Sequence, residues 1–301
     1  MNKTAYTYLP SSTLDSLKNI ELVARSLVEG GMLGLHRSPY RGFSSEFSEY
    51  RKYSSGDDVR HIDWKTYARS DRHYIKCFEE DSNLNSYILL DTSNSMTMQN
   101  DGAESPAKFN YACYLAAAFM YLAHKQHDAF GLYTWAEQVG NLEGCSNSLS
   151  HLTTQLKRLE KLKPGGESDS EKCLSRIAEL IPQRSLVLIF SDFLDRNEDF
   201  IKPLHHLDFK KCEVILFQVM TENELKFPYR GLVRFEDLET AENIEVESES
   251  CRSYYLEALR NYNHRLRMFT EHHRMVFETI STATPFESAL LAYFSKRTAM
   301  Y

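Results

Sequence analysis

An apolar run that ends in one carboxylate and two hydroxyls is the part of this sequence best suited to chemistry. Residues 87–90 are apolar, and Asp91, Ser93 and Ser95 follow them in the pattern Asp-x-Ser-x-Ser. Oxygen ligands of this kind suit Mg²⁺, which prefers near-octahedral geometry and keeps several waters. The run predicts a buried parallel strand, and open α/β sheets bind ligands at the carboxyl ends of their strands. We therefore predict a hard-cation site at Asp91.

Two later segments offer further oxygen ligands at the same edge of the predicted sheet. A second apolar run ends in Ser191 and Asp192, and a glycine turn at residues 165–166 leads through Ser168 into a predicted helix. The carboxyl ends of parallel strands share one edge of a sheet, so these loops can meet there. The predicted metal ligands are Asp91, Ser93, Ser95, Ser168 and Asp192.

Strands that alternate with helices must position these residues. Apolar periodicity predicts a strand that begins at residue 87 and further strands over 74–78, 129–135, 184–192, 213–219 and 275–280. It also predicts a small hairpin of 232–235 and 244–246. It predicts helices over 13–29, 150–162, 171–180, 198–207 and 249–273. Two more helices are expected to begin at Ser105–Pro106 and at Thr284–Pro285, where a capping residue precedes proline. This rhythm indicates a mostly parallel sheet with helices on both faces.

The same residues leave other interpretations open. Asp91 and Ser93 can form an Asx turn and cap the next helix, which would leave a degenerate, empty site. Asp91 could instead be the nucleophile of a Mg²⁺-dependent phosphotransferase, although such enzymes favour a second acid where Ser93 stands. The sequence has no Gly-Lys-Ser/Thr phosphate loop, so it is not a P-loop ATPase. We expect no catalytic activity and no catalytic residue.

The metal-ligand pattern resembles the metal-ion-dependent adhesion site of von Willebrand factor A domains. Ser168-x-Ser170-x-x-Cys173-Leu174 is similar to the Gly-x-Thr-x-Thr-x-x-Ala-Leu stretch of those domains, with Ser168 at the distal threonine and Glu167 as an extra turn residue. The resemblance implies a von Willebrand A-like, Rossmann-like fold. It also implies a bound Mg²⁺, or else Mn²⁺ or Ca²⁺. Mg²⁺ is favoured because only two carboxylates are offered and Ca²⁺ usually takes more oxygen ligands.

The segment from Gly34 to Arg69 resembles the signature of the domain-of-unknown-function family number fifty-eight, which joins such a segment to a von Willebrand A-like domain. Residues 1–82 are then a signature segment with an N-terminal helix and a strand-rich part, packed on the main domain. Residues 83–301 are the von Willebrand A-like domain, with a small insertion near 225–250. The signature residues are Arg51, Tyr53, Asp57, Asp58, Arg60, Asp63, Trp64 and Arg69. Their mixed charges favour an internal network of arginine–carboxylate pairs over a docking surface for a partner.

The bulk composition excludes several classes of function. A formal charge of −7 argues against a general nucleic-acid or membrane-surface binder. The six cysteines are scattered and have no Cys-x-x-Cys spacing, so we expect free thiols rather than a disulfide framework or a zinc site. The polar N-terminus and the lack of a long apolar stretch predict a cytoplasmic protein without membrane insertion. Many proteins of the resembled family carry transmembrane helices ahead of this region, and we expect this chain to be a free-standing cytosolic form.

The resemblance further implies how the site works. Serine ligands are neutral, so a cation held by few carboxylates can accept an acidic residue from a protein partner. Such proteins are commonly linked to MoxR-type AAA+ ATPases. The resulting expectation is a bacterial, non-enzymatic adaptor that works with such an ATPase in chaperone-like assembly or maturation of protein complexes.

Overall fold

The computed structural model describes residues 7–9, 46–52, 74–79, 85–100, 105–140, 142–194, 200–238 and 242–300. For residues 46–52, 74–79 and 294–300 it describes the backbone alone. It divides into two compact units, one of residues 1–36 and 84–301 and the other of residues 37–83. In the smaller unit, β1 (Glu46–Lys52) pairs antiparallel with β2 (Tyr74–Glu79), and a strand at 74–78 was predicted. The predicted helix over 13–29 lies outside the described residues.

The larger unit is built on a parallel sheet. Its described strands are β3 (Asn85–Asp91), β4 (Ala129–Trp135), β5 (Leu186–Ser191), β6 (Glu213–Met220), β7 (Leu232–Glu236), β8 (Asn243–Glu247) and β9 (Val276–Ser281). Five of them form a sheet of order β4-β3-β5-β6-β9, in which every pairing is parallel. The predicted hairpin is confirmed, because β7 and β8 pair antiparallel outside this sheet.

Helices cover both faces of the sheet, as predicted. They are α1 (Lys108–Lys125), α2 (Leu149–Lys161), α3 (Ser170–Leu180), α4 (Ile201–Phe209), α5 (Glu222–Lys226), α6 (Ser248–His272) and α7 (Phe286–Met300). Helices α1, α2 and α7 share one apolar core with alternate residues of the strands, and α3, α4 and α6 share the other. The chain therefore has a Rossmann-like α/β fold. None of the described helices is both long enough and apolar enough to cross a membrane.

Close packing against the sheet fixes the strands that lead to the candidate site. The alanine run of residues 116–118 in α1 is completely buried, and small side chains let a helix backbone approach a sheet. Next to it, the Phe119 ring lies 6.0 Å from that of Phe190 in β5 and 5.6 Å from that of Phe217 in β6. The Phe190 and Phe217 rings stack on each other at 5.0 Å. The carboxyl ends of β3 and β5 thus project from a rigid base.

Two details differ from the predictions. Helix α1 begins at Lys108 rather than at Ser105–Pro106, and its first residue donates a backbone hydrogen bond to the Met98 carbonyl at 3.0 Å. Ala107 rather than Ser105 therefore stands at the N-cap position, and it makes no side-chain capping bond. The short helix α5 was not predicted, although Thr221 and Glu224 form a capping box at its start.

Candidate metal centre

Two buried carboxylates stand at the carboxyl ends of neighbouring parallel strands. Asp91 is the last residue of β3 and Asp192 follows the last residue of β5, and their exposed fractions are 2% and 4%. Burial, together with the negative charge of Asp192, raises the pKa of Asp91 to about 7. The carboxylate of Asp91 is therefore short of positive charge and favours a proton or a cation as its partner.

Serine hydroxyls connect these two carboxylates. The Ser93 backbone N–H donates to Asp91 Oδ1 at 2.9 Å, which is the Asx turn that the sequence allowed, and the Ser93 hydroxyl also hydrogen-bonds Asp91. Ser93 Oγ lies 3.0 Å from Ser95 Oγ, and the Ser95 hydroxyl hydrogen-bonds Asp192. Each hydroxyl has a single proton, so Ser93 and Ser95 cannot both donate to a carboxylate while they also hydrogen-bond each other. Four of the five predicted ligands, Asp91, Ser93, Ser95 and Asp192, thus lie next to one another at this edge of the sheet.

The loop that carries Ser168 lies directly against the loop after β3. Two backbone hydrogen bonds, of 2.7 and 2.9 Å, join residues 165–166 to residues 92 and 94. Gly166 has φ +85°, a left-handed conformation that glycine adopts without steric strain, so the glycine turn is needed for this approach. The Ser168 hydroxyl lies 2.9 Å from that of Ser170. Ser95 and Ser168 are only half-buried, so this side of the oxygen cluster is the more accessible one.

Ser191 fixes the orientation of Asp91 from the neighbouring strand. Its hydroxyl donates to Asp91 Oδ2 at 2.6 Å and accepts the backbone N–H of Phe193 at 3.0 Å. Phe193 adopts the left-handed conformation, with φ +53°, which is unfavourable for a bulky residue. The Tyr262 hydroxyl donates to the Phe193 carbonyl and helps to hold it there. The turn that follows Asp192 is therefore held by contacts from β5 and α6.

A buried lysine contacts the same cluster. Lys108 is 1% exposed, and its Nζ lies 2.6 Å from Asp192 Oδ2 and 2.8 Å from Glu224 Oε1. Burial alone would raise the pKa of Asp192, but the Lys108 ammonium outweighs it and lowers that pKa below its ordinary value. Burial by itself would lower the pKa of Lys108. The nearby carboxylates of Asp192 and Glu224 have a larger effect in the other direction, so the pKa of Lys108 is raised. The lysine is thus held as a cation inside the protein.

The charges and the donor atoms of this cluster fit one divalent cation. The cluster holds three buried carboxylates, those of Asp91, Asp192 and Glu224, and one ammonium, which contacts the last two; with all four groups ionised its formal charge is −2. All the predicted ligands offer oxygen, the donor that Mg²⁺ prefers. In the described part of the chain, no group of three or more His, Cys, Asp or Glu side chains could hold a metal. A cation bound here would depend on two carboxylates and on hydroxyls.

Sequence reasoning missed three residues around the predicted ligands: Ser191 contacts Asp91, Lys108 contacts Asp192, and Glu224 contacts Lys108. Ser191 stands beside Asp192, and Glu224 stands in a Thr-x-x-Glu capping pattern, so both had a local signal that was not used. Lys108 had none, because a lysine near a helix start is ordinarily a surface residue.

The predicted signature residues Arg51, Tyr53, Asp57, Asp58, Arg60, Asp63, Trp64 and Arg69 lie outside the described side chains. Of their backbones, that of Arg51 is described, in β1 and opposite Ile75 of β2.

The fold and this edge of the sheet define a Rossmann-like α/β protein with a cluster of buried acids and hydroxyls. The family model described as "Protein of unknown function DUF58" matches residues 49–265, and the chain belongs to this family. Uncharacterized proteins of Mycobacterium bovis and Mycobacterium tuberculosis are 25% identical over 228 residues, which cover 75% of this chain and 70% of theirs.

Two solved bacterial structures are similar to the chain, each at 13% sequence identity. The conserved hypothetical protein BatB from Bacteroides thetaiotaomicron has a TM-score of 0.48, with 72% of this chain and 100% of that chain covered. An aerotolerance-related membrane protein from Bacteroides fragilis has a TM-score of 0.46, with 71% and 99% covered.

Proposed function

We propose that this protein is a metal-dependent protein-binding adaptor with a von Willebrand A-like site. The observation that carries the proposal is the buried pair Asp91 and Asp192 beside the hydroxyls of Ser93 and Ser95, a cluster whose formal charge is −2 when Lys108 and Glu224 are included. Buried like charges are unfavourable unless a cation or a proton compensates them. A divalent cation supplies that compensation.

Asp91, Ser93, Ser95, Ser168 and Asp192 would hold the ion, with Mg²⁺ favoured over Mn²⁺ and Ca²⁺. When bound, such an ion offers a coordination position that a carboxylate from another protein can fill. The partly exposed hydroxyls of Ser95 and Ser168 lie on the side from which a partner can approach. The Lys108 ammonium pairs with one oxygen of Asp192 and offsets part of its negative charge. The bound ion would therefore keep more of its positive charge than it would beside two carboxylates without such a partner.

The partner that we propose is a MoxR-type AAA+ ATPase, in a cytoplasmic chaperone-like system that assembles or matures protein complexes. This part rests on resemblance to proteins that combine the same signature segment with a von Willebrand A-like domain. The adaptor itself would carry out no reaction. It would present a client to the ATPase or couple the ATPase cycle to remodelling.

Chemical crosslinking in the native host, read by mass spectrometry, tests this proposal. Wild type is compared with Asp91→Asn, and with Glu222→Gln, which changes an exposed acid of α5 that pairs with Lys226. We expect a AAA+ ATPase to be crosslinked in Mg²⁺ by wild type and by Glu222→Gln, and to be lost in Asp91→Asn or in EDTA. Equal recovery with folded Asp91→Asn would refute a metal-dependent grip, and absence of any AAA+ ATPase would refute the partner.

The geometry supports the phosphotransferase alternative less well. A nucleophilic aspartate must reach a phosphorus atom, yet Asp91 is 2% exposed and both of its oxygens already accept hydrogen bonds, from Ser93 and Ser191. Ser93 also occupies the position at which such enzymes use a second acid. Phosphatase turnover by wild type that Asp91→Asn abolishes would reverse this preference.

A further inference from the structure

A single buried ammonium is shared by two carboxylates beside the proposed metal site. Lys108 Nζ contacts Asp192 Oδ2 at 2.6 Å and Glu224 Oε1 at 2.8 Å. Asp192 directly follows β5, and Glu224 stands in α5, which follows β6. Buried charges are unfavourable unless they are paired. Lys108, Asp192 and Glu224 together have a net charge of −1. The stability of a single ion pair therefore does not explain why a second carboxylate is buried here.

The positions of all three groups are fixed by further contacts. Glu224 Oε2 accepts hydrogen bonds from the Thr221 backbone N–H at 2.7 Å and from the Thr221 hydroxyl at 2.8 Å. The Lys108 backbone N–H donates to the Met98 carbonyl at 3.0 Å, and Asp192 Oδ1 accepts the backbone N–H of Leu194 at 3.2 Å. Asp192 Oδ1 thus keeps lone-pair capacity on the side away from the ammonium.

We propose that Lys108 and Glu224 are specificity-determining residues that set the charge of the proposed metal site, so that it takes one divalent cation. This inference rests on the proposed function, because it assigns a role toward the same ion. The ammonium of Lys108 offsets the charge of one carboxylate ligand. Glu224 is not a predicted ligand, but its carboxylate brings the formal charge of the whole cluster back to −2. If the ammonium is removed, the formal charge of the cluster is −3. If the charge of Glu224 is removed instead, the formal charge of the cluster is −1.

The charge of such a site controls which cation it holds, because Coulomb interactions are weakly screened where water is excluded. A site of charge −3 favours a trivalent ion, and a site of charge −1 holds a divalent ion weakly. The two changes cancel when they are combined, since the double variant Lys108→Met/Glu224→Gln again carries −2. A role in packing alone gives no such cancellation.

Calorimetric titration with Mn²⁺ and luminescence titration with Tb³⁺ test the inference on wild type, the two single variants and the double variant. Relative to wild type, we expect Lys108→Met to bind Mn²⁺ about tenfold more tightly or better, with a larger gain for Tb³⁺. Glu224→Gln should bind Mn²⁺ about tenfold more weakly. The double variant should return to within about threefold of wild type. Glu222→Gln, on the exposed face of α5, is the matched control and should bind as wild type does.

The outcomes separate this inference from the proposed function. If wild type binds one Mn²⁺ but Lys108→Met binds it equally or more weakly, or the double variant binds no better than Glu224→Gln, the charge-setting role is wrong and the metal site stands. If folded wild type binds neither ion, both are wrong. Glu224→Gln is nearly isosteric, so it tests the charge effect even if Lys108→Met does not fold.

Discussion

Replacement of Asp91 by asparagine should stabilise the metal-free protein above neutral pH, even though it removes a predicted metal ligand. The carboxyl group of Asp91 has an ordinary pKa of 3.8 and a pKa of about 7 in the folded chain. The folded chain therefore binds a proton that the unfolded chain has lost between about pH 4 and pH 7. Its free energy of unfolding consequently falls as the pH rises through this window.

The size of the effect follows from the pKa difference. At about 1.4 kcal/mol for each unit of pKa, the change from 3.8 to about 7 corresponds to on the order of 4 kcal/mol. Asparagine cannot ionise, so Asp91→Asn lacks this loss. The side-chain amide can still accept the Ser93 N–H and can donate to Ser191 Oγ, which lies 2.6 Å from Asp91 Oδ2. The substitution therefore keeps both contacts, but the Ser191 hydroxyl, which donates to Asp91 in wild type, must turn its proton to another acceptor.

Urea unfolding in EDTA at about pH 5 and about pH 8 measures the effect, and the difference between wild type and variant isolates Asp91 from other titrating groups. Between these two pH values wild type should lose about 3 kcal/mol more than Asp91→Asn, because about two of the three units of pKa difference lie above pH 5, and Glu222→Gln should follow wild type. Mg²⁺ at about 100 times its dissociation constant should close more than half of the gap at the higher pH, because the ion adds about 2.7 kcal/mol to the protein that binds it. The reasoning fails if Asp91→Asn is less stable than wild type at both pH values in EDTA.

Three further predictions concern the support of the site. Thr221→Ala should destabilise the protein by about 1 kcal/mol in urea unfolding, because it removes the capping box with Glu224, whereas Thr221→Ser should keep it; equal losses would contradict the role of the cap. Phe217→Ala should cost about 3–5 kcal/mol, because this buried ring stacks on Phe190, and Phe217→Leu should cost clearly less. Burial raises the pKa of the Cys113 thiol, so a thiol reagent should leave it unmodified in the native protein; mass spectrometry that finds rapid labelling there would contradict its burial.

The strands of the sheet could be predicted because each is a short apolar run with its own local pattern. The six residues of β5 are all buried, and a continuous apolar run is typical of a strand covered on both faces. Helix α1 begins at Lys108, two residues after the proline that was expected in its first turn. Local sequence signals therefore locate elements better than they locate their ends.

The sequence could place Asp91 and Asp192 at one edge of the sheet because the ends of parallel strands share an edge, and these two acids do stand at the carboxyl ends of neighbouring strands. That these residues bind a metal stays a prediction. The contact of Lys108 with Glu224 joins residues 116 positions apart, on elements that meet only after folding. No periodicity or motif encodes such a pair, so the charge of the site could not be read from the sequence.

The most direct test of the central claim is the number of Mn²⁺ ions that the purified protein binds, measured by electron paramagnetic resonance of the free ion. The account predicts one bound ion per chain in wild type and in Glu222→Gln, and none in folded Asp91→Asn over the same concentration range. A wild type that binds no ion, or an Asp91→Asn variant that binds it as tightly as wild type, would contradict the account.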